Sequence, residues 1–223
     1  MAITLSDAEL SELDELNVTY EHRAPGEIIS WAADRFGDDL VFACSFQDLV
    51  LLDLAVKAKP DLEIIFLDTE AHFDETWEYV EWAKAHYGLN LTVTHPGPDA
   101  ADTPCGAEGC CQVRKVGPLK RAVADKKAWL TSVKRVDAPT RATTPIIGYD
   151  EIFGLIKINP LATWTDEDVA YYEKEHNLPQ HPLVPKGYLS IGCAPTTRPV
   201  APGEDPRAGR WSNSDKTECG LHQ

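Results

Sequence analysis

Leu40-Val41-Phe42-Ala43-Cys44-Ser45-Phe46-Gln47-Asp48 is the stretch that decides the fold. Four apolar residues ahead of a polar break have the length of a short buried strand. A brief polar loop follows, and then a helical pattern through Leu49, Leu52, Leu54 and Val56. Strand, loop and helix in this order form the unit in which α/β proteins hold phosphates. The first backbone N–H groups of the helix have no intrahelical partner and point at the anion. The lysine-bearing GxxxxGK[ST] phosphate loop is not present here, because its glycines and its lysine are missing.

The same alternation continues outward. Ile64-Ile65-Phe66-Leu67 reads as a second strand, ending in the polar Asp68-Thr69-Glu70. Leu91–Thr94 and Ala128–Val133 read as the third and fourth, the latter running into Lys134-Arg135, and short strands are expected within 152–161. Helices are expected from Ser6 or Asp7 to about Arg23, from Pro25 to Phe36, and from about Phe73 to Tyr87 through Trp77, Val80 and Trp82. Another should begin near Cys110 and reach Ala124 with an interruption at Pro118, and one should open at Thr165-Asp166-Glu167-Asp168 as a capping box. Beyond Asn177, prolines and glycines predict mostly loop. Alternating strands and helices give one α/β domain with a mainly parallel sheet. The divisions expected are a helical extension over 1–24, the main domain over 25–211, and a mobile tail over 212–223.

Composition narrows the function. The 223 residues carry a net charge of −15, of which the first hundred hold −16 and the remainder +1. Such a protein is a poor partner for nucleic acid. It can still bind a small anion where its cations gather, and these lie in the second half. No apolar run spans a membrane and no secretion leader is evident, so a cytoplasmic location is expected. In that setting six cysteines speak for metal or redox chemistry more than for a disulfide scaffold.

Three groups carry chemistry. Cys110 and Cys111 are adjacent, which disfavours a disulfide between them but suits joint ligation of one metal centre at a helix start, with Cys193 a further candidate. Arg114, Lys115, Lys120 and Arg121 follow the pair; Lys134, Arg135 and Arg141 follow the fourth strand; Arg198, Arg207 and Arg210 flank the last loop. Guanidinium forks match phosphate and sulfate oxygens. Finally Cys219 lies near the chain end in Glu218-Cys219-Gly220-Leu221-His222, where a thiol can act as a reagent and His222 could lower its pKa.

Ser45-Phe46-Gln47-Asp48 resembles a degraded SGGxDS loop of the ATP-pyrophosphatase group. That loop, together with Cys110-Cys111-Gln112-Val113-Arg114-Lys115-Val116, Lys134–Arg141, Gly192-Cys193, Arg207-Ala208-Gly209-Arg210-Trp211 and the tail, stands in the order found in assimilatory sulfonucleotide reductases. The resemblance runs from about residue 25 to the end. It implies an adenine-nucleotide alpha-hydrolase-like fold and reduction of adenylyl sulfate (APS), or its 3′-phosphorylated form (PAPS), to sulfite and the nucleotide. It implies attack by the Cys219 thiolate on the sulfate sulfur with His222 nearby, an S-sulfocysteine intermediate, and thioredoxin as the electron donor. Ser45, Phe46, Gln47, Asp48, Lys115, Arg135, Arg141, Arg207 and Arg210 become the substrate-binding set, and Cys110, Cys111 and Cys193 the ligands of a [4Fe–4S] cluster.

Members with paired cysteines mostly use APS and carry the cluster, which favours APS here. Thr196-Thr197-Arg198 leans the other way, since it resembles the corresponding stretch of the cluster-free, PAPS-using members, and the chain departs from the cluster-bearing ones in one place. Where they have Cys-x-x-Cys, it has Cys193-Ala194-Pro195-Thr196, and a threonine hydroxyl is a poor cluster ligand. Three thiolates with one open iron is the expectation, with Cys105 second in rank as a substitute. An adenylyltransferase of the ATP-pyrophosphatase type and a non-catalytic metal protein are the rival readings.

Overall fold

The structure, a computed structural model, describes residues 5–211, 216 and 218–221. Ser6 caps the first helix, α1 (Asp7–Tyr20), with a reciprocal bond from Glu9, and Pro25 opens α2 (Pro25–Phe36). Then come β1 (Leu40–Ala43), α3 (Val50–Ala58), β2 (Glu63–Leu67), α4 (Asp74–Tyr87) and β3 (Asn90–Thr94). A π-helical turn over Gln112–Val116 leads into α5 (Gly117–Ala122), followed by β4 (Ala128–Leu130), β5 (Ile147–Asp150), β6 (Leu155–Ile158) and α6 (Asp166–Glu175).

The six strands stand in the order β3-β2-β1-β4-β6-β5. All neighbours run parallel except β5, which is antiparallel to β6 at one edge. Strand side chains alternate between faces, and burial follows that period. Phe42, Ile64, Phe66 and Leu130 face α2, α3 and α4 in the larger core. Val41, Ile65 and Trp129 face the other way, onto Val116, Leu119 and Val123 around α5. Both faces are thus covered, as a parallel sheet requires. Each fully buried aliphatic or Phe side chain stabilises the fold by roughly 1.5–3 kcal/mol.

Several elements differ from the sequence expectation. Strand β4 ends at Leu130 rather than 133, and the expected short strands resolve into a hairpin whose first strand begins at Ile147. The expected helix does begin at Cys110 and runs unbroken to Ala122, but it holds a π turn over Gln112–Val116, and Pro118 sits in the first turn of α5 without interrupting it. Helix α4 buries Thr76, Tyr79, Val80 and Ala83, while Trp82 is exposed and stacks on His86. Past Asn177 the described chain holds brief 3₁₀ turns and one antiparallel bridge, Thr197 to Arg210. No helix among the described residues is long and apolar enough to cross a membrane.

Candidate active site

Strand order places the site. From β1 the chain winds outward through β2 to β3, then returns to lay β4 on the other side of β1. The carboxyl ends of β1 and β4 therefore diverge, and a crevice opens between them. Ser45, Gln47 and Asp48 after β1, and Ser132, Val133 and Lys134 after β4, line a cavity of about 490 Å³ in that crevice. Arg141, Arg207, Arg210, Trp211, Glu218 and Cys219 close it from the second half of the chain.

Phe46 takes a positive φ of 53° and Trp211 one of 48°, a conformation that costs a side-chain-bearing residue on the order of 1–3 kcal/mol. Phe46 stays in it because its ring is locked edge-on against Phe66 in the core. Its side chain thus shapes the loop from behind and does not reach the cavity. Gln47 accepts a bond from the Ile191 N–H at 3.0 Å, which ties this loop to the segment carrying Cys193. The Asp48 carboxylate accepts from the Val50 N–H at the start of α3. Burial pushes the Asp48 carboxyl above its ordinary value, and Lys134 partly offsets this.

The cations fall into three kinds. Lys115, on the π turn, borders the main cavity and two smaller ones. Arg210 is half-buried, donates to Ser190 Oγ and the Ile191 carbonyl, and lies 4.6 Å over the Trp211 ring. A Cβ on Gly192 would stand 2.5 Å from its guanidinium, so glycine is what lets Arg210 pass. Arg141 is buried, bonding Asp137 and, with two 2.8 Å contacts, the Glu218 carboxylate; Arg207 reaches the same carboxylate at 3.4 Å. Arg135 stands apart. Its guanidinium is taken by Glu21 at the end of α1 and by the Thr144 carbonyl, and it does not line the cavity.

Lys134, Asp137, Ser132 and Trp211 line the cavity although the sequence-based substrate set omits them. Asp137 and Arg141 pair at 3.0 Å across two successive 3₁₀ turns, Arg135–Asp137 and Pro139–Arg141, with Ala138 extended between them, so helical spacing was not a signal for it. Burial works against the Lys134 charge, but Asp137 and Asp48 outweigh it and raise its pKa.

Cys219 is buried at 9% exposure, between the cavity and the paired cysteines, in a cluster with Cys110, Cys111, Trp211 and Leu221. The described tail residues are therefore docked, with Glu218 on Arg141 and Lys216 Nζ 3.1 Å from Cys111 Sγ. His222 lies outside the described residues.

Beside this crevice is a second cavity of about 220 Å³, bordered by Cys105, Cys110, Cys111 and Cys193 with Lys115, Arg210, Trp211 and Lys216. Lys115, Arg210 and Trp211 thus stand between the two cavities. Cys193 Sγ lies 3.5 Å from Thr69 Oγ1. The neighbouring Cys105 thiol, and after it Lys115 and Thr69, outweigh burial and hold the Cys193 thiol below its ordinary pKa. Among the described residues, no three His, Cys, Asp or Glu groups converge on one point as a single metal ion would need. A cluster makes a different demand, since its thiolates stand apart at separate irons. Four sulfurs around one cation-bordered space suit that chemistry.

Comparison with known proteins fits this geometry. The sequence profile of the phosphoadenosine phosphosulfate reductase domain matches residues 39–199. Adenosine 5′-phosphosulfate reductase of Rhodococcus opacus is 41% identical over an alignment covering all of this chain and 99% of that protein. The crystal structure of phosphoadenylyl-sulfate (PAPS) reductase from Candida auris, a phosphate complex, superposes with a TM-score of 0.76 at 30% identity, covering 89% of this chain and all of that one. FMN adenylyltransferase of Candida glabrata shares the fold at a TM-score of 0.60 and 15% identity, covering 86% of this chain and 74% of that one. Resting on a matched domain and a full-length relative, the conclusion is that this chain belongs to the phosphoadenosine phosphosulfate reductase family.

Proposed function

We propose that this protein is an adenylyl-sulfate reductase of assimilatory sulfate reduction, using thioredoxin to convert APS to sulfite and AMP. One observation carries the reading: a buried thiol, Cys219, borders a cavity at the carboxyl ends of β1 and β4 whose lining holds five cations, Lys115, Lys134, Arg141, Arg207 and Arg210, alongside five carboxylates. Besides packing on Cys110, Cys111 and Trp211, this thiol faces the place where this fold class holds nucleotides.

The nucleotide phosphate would lie against the Ser45–Asp48 loop and Lys134, with the sulfate toward Lys115, Arg207 and Arg210. The Cys219 thiolate attacks the sulfate sulfur. An S–S bond forms, the bond from sulfur to the bridging oxygen breaks, and AMP leaves with that oxygen. Lysine and arginine stabilise charge growing on the departing phosphate. A thioredoxin thiolate then attacks the Cys219 sulfur, and sulfite departs with the bonding pair. The second thioredoxin thiol resolves the mixed disulfide, so the dithiol is oxidised and Cys219 restored. Because Cys219 is docked, the tail must open for thioredoxin to reach it, and the Glu218–Arg141 pair is the contact that has to part. Cys110, Cys111 and Cys193 would hold a [4Fe–4S] cluster, which when bound supplies a charged, polarisable neighbour to the wall formed by Lys115 and Arg210.

APS is favoured over PAPS by the paired cysteines and by Arg198, whose guanidinium is engaged by Glu204 at 2.6 and 3.1 Å and is not among the residues lining the cavity. Incubation with APS and no thioredoxin should leave one sulfonate adduct, on the tail peptide containing Cys219. An adduct on Cys44 or Cys105 instead overturns the assignment, and a kcat/KM ratio favouring PAPS overturns the substrate choice.

A further inference from the structure

Thr196 occupies the position where the family pattern calls for a fourth cysteine, yet its hydroxyl is not offered to the sulfur-lined cavity. Thr196 Oγ1 donates back to the Cys193 carbonyl at 3.3 Å. Its methyl faces Gly106, where an added Cβ would stand 3.1 Å from Thr196 Cγ2. Gly106 takes a φ of +97°, so both the conformation and the close approach favour glycine there. The residue before that glycine is Cys105. The tight turn that packs on Thr196 thus carries a thiol to the edge of the same cavity that Cys193 borders.

The loop holding Cys105 is fixed to the element holding the paired cysteines. Arg114, on the π turn, donates to the Ala100 carbonyl at 2.8 Å and the Thr103 carbonyl at 3.2 Å, and to the Thr69 carbonyl at 2.8 Å. One largely buried guanidinium therefore spans the approach to Cys105, the end of β2 beside Cys193, and the turn bearing Cys111. Ala107 N–H to Pro104 O and Cys110 N–H to Ala107 O continue the turn directly into the pair. Three cavity-bordering cations, Lys115, Arg210 and Lys216, balance negative sulfur. The cavity volume equals on the order of seven water molecules at ~30 Å³ each, room for more than a single ion.

From this geometry we infer that Cys105, with Cys110, Cys111 and Cys193, completes a four-thiolate set for a [4Fe–4S] cluster, displacing the fourth ligand from the Cys193 loop to the loop before the cysteine pair. The inference rests on the cluster-bearing reading above, and it replaces an open iron with a closed site. Ligand exchange from a preassembled cluster carried on a small thiol forms four iron–thiolate bonds. It releases the small thiols, protonated by the four protein thiols, and leaves the iron valences unchanged.

Iron, acid-labile sulfide and visible absorption of the full chain, purified without oxygen and loaded with that carrier, test the inference. Wild type should hold about four irons and four sulfides per chain. Cys105→Ser should lower that content several-fold or convert the centre in air to a three-iron species with its own paramagnetic signature. Adding Thr196→Cys to Cys105→Ser should restore content and lifetime. Alkylation followed by mass spectrometry needs no variant: loaded wild type should protect Cys105, and chelation of iron should expose it. If Cys105→Ser keeps wild-type content and air lifetime while Cys110→Ser loses both, or if Cys105 alkylates equally with and without cluster, Cys105 is not a ligand although the cluster stands. If wild type takes up no iron or sulfide yet makes sulfite, the cluster reading fails, and this inference with it.

Discussion

The two neighbouring cavities differ in what builds them. The larger is made by the sheet: β1 and β4 end side by side, and the loops leaving them face each other across a crevice. The smaller has no strand end in it: Cys105 and Cys193 come from loops, Cys110, Cys111 and Lys115 from the helical segment before α5, and Arg114 ties the Cys105 loop to that segment. Lys115, Arg210 and Trp211 belong to both. A fold's strand ends can thus supply an anion site with little sequence specificity. A sulfur site without a strand behind it needs glycines at positive φ and a buried guanidinium to hold its loops.

The comparison breaks first at Cys219. Cys219→Ser should abolish sulfite formation while leaving nucleotide binding and iron content within twofold of wild type, as measured by turnover, equilibrium binding and iron assay. A loss of iron as large as the loss of turnover would merge the two cavities into one function.

The wall residues give the next largest effect. Removing a charge-assisted hydrogen bond costs roughly 1.5–3 kcal/mol, about a tenfold to hundredfold loss. Lys115→Ala and Arg210→Ala should lower kcat/KM by that much and reduce iron content as well. Arg207→Ala, which borders only the larger cavity of the two, should lower kcat/KM alike and leave iron unchanged. Gly192→Ala should act as a weaker Arg210 variant, because its methyl must push the guanidinium aside.

The tail clamp gives the smallest effect. Burial works to raise the Glu218 carboxyl, but Arg141 and then Arg207 outweigh it and hold its pKa below the ordinary value. A carboxyl lowered on docking stabilises the docked tail above its free pKa and loses that contribution as pH falls through the lowered one. Proteolytic cutting near Lys216 should therefore stay flat from about pH 8 to about pH 6. Glu218→Gln should raise it several-fold across that range, because both side chains of the ion pair are largely shielded from solvent. A steep rise between those pH values in wild type would mean that another group holds the tail.

Much of this was legible in the residues themselves. Helix α2 begins and ends where Pro25 and Phe36 said it would, and β1 coincides with Leu40–Ala43, because both signals are local: a fixed φ at the first turn, and four apolar residues between breaks. The paired cysteines, Lys115, Arg210 and Cys219 were readable because unusual residues stood in an ordered series of motifs. Tertiary structure alone decided which cations face the cavity. Arg135 and Arg141 are similar in sequence terms, but Glu21, 114 positions from Arg135, claims the first, and Glu218 draws the second to the tail. It also decided the crevice, which depends on β4 pairing with β1 rather than β3. It decided Cys105 as well, whose place at the cavity it shares with Cys193 follows from one turn packing on Thr196. Periodicity and caps act over a few residues and can be read from them. Pairing across 88 or 114 positions is settled by which partners burial brings together, and no short stretch contains that information.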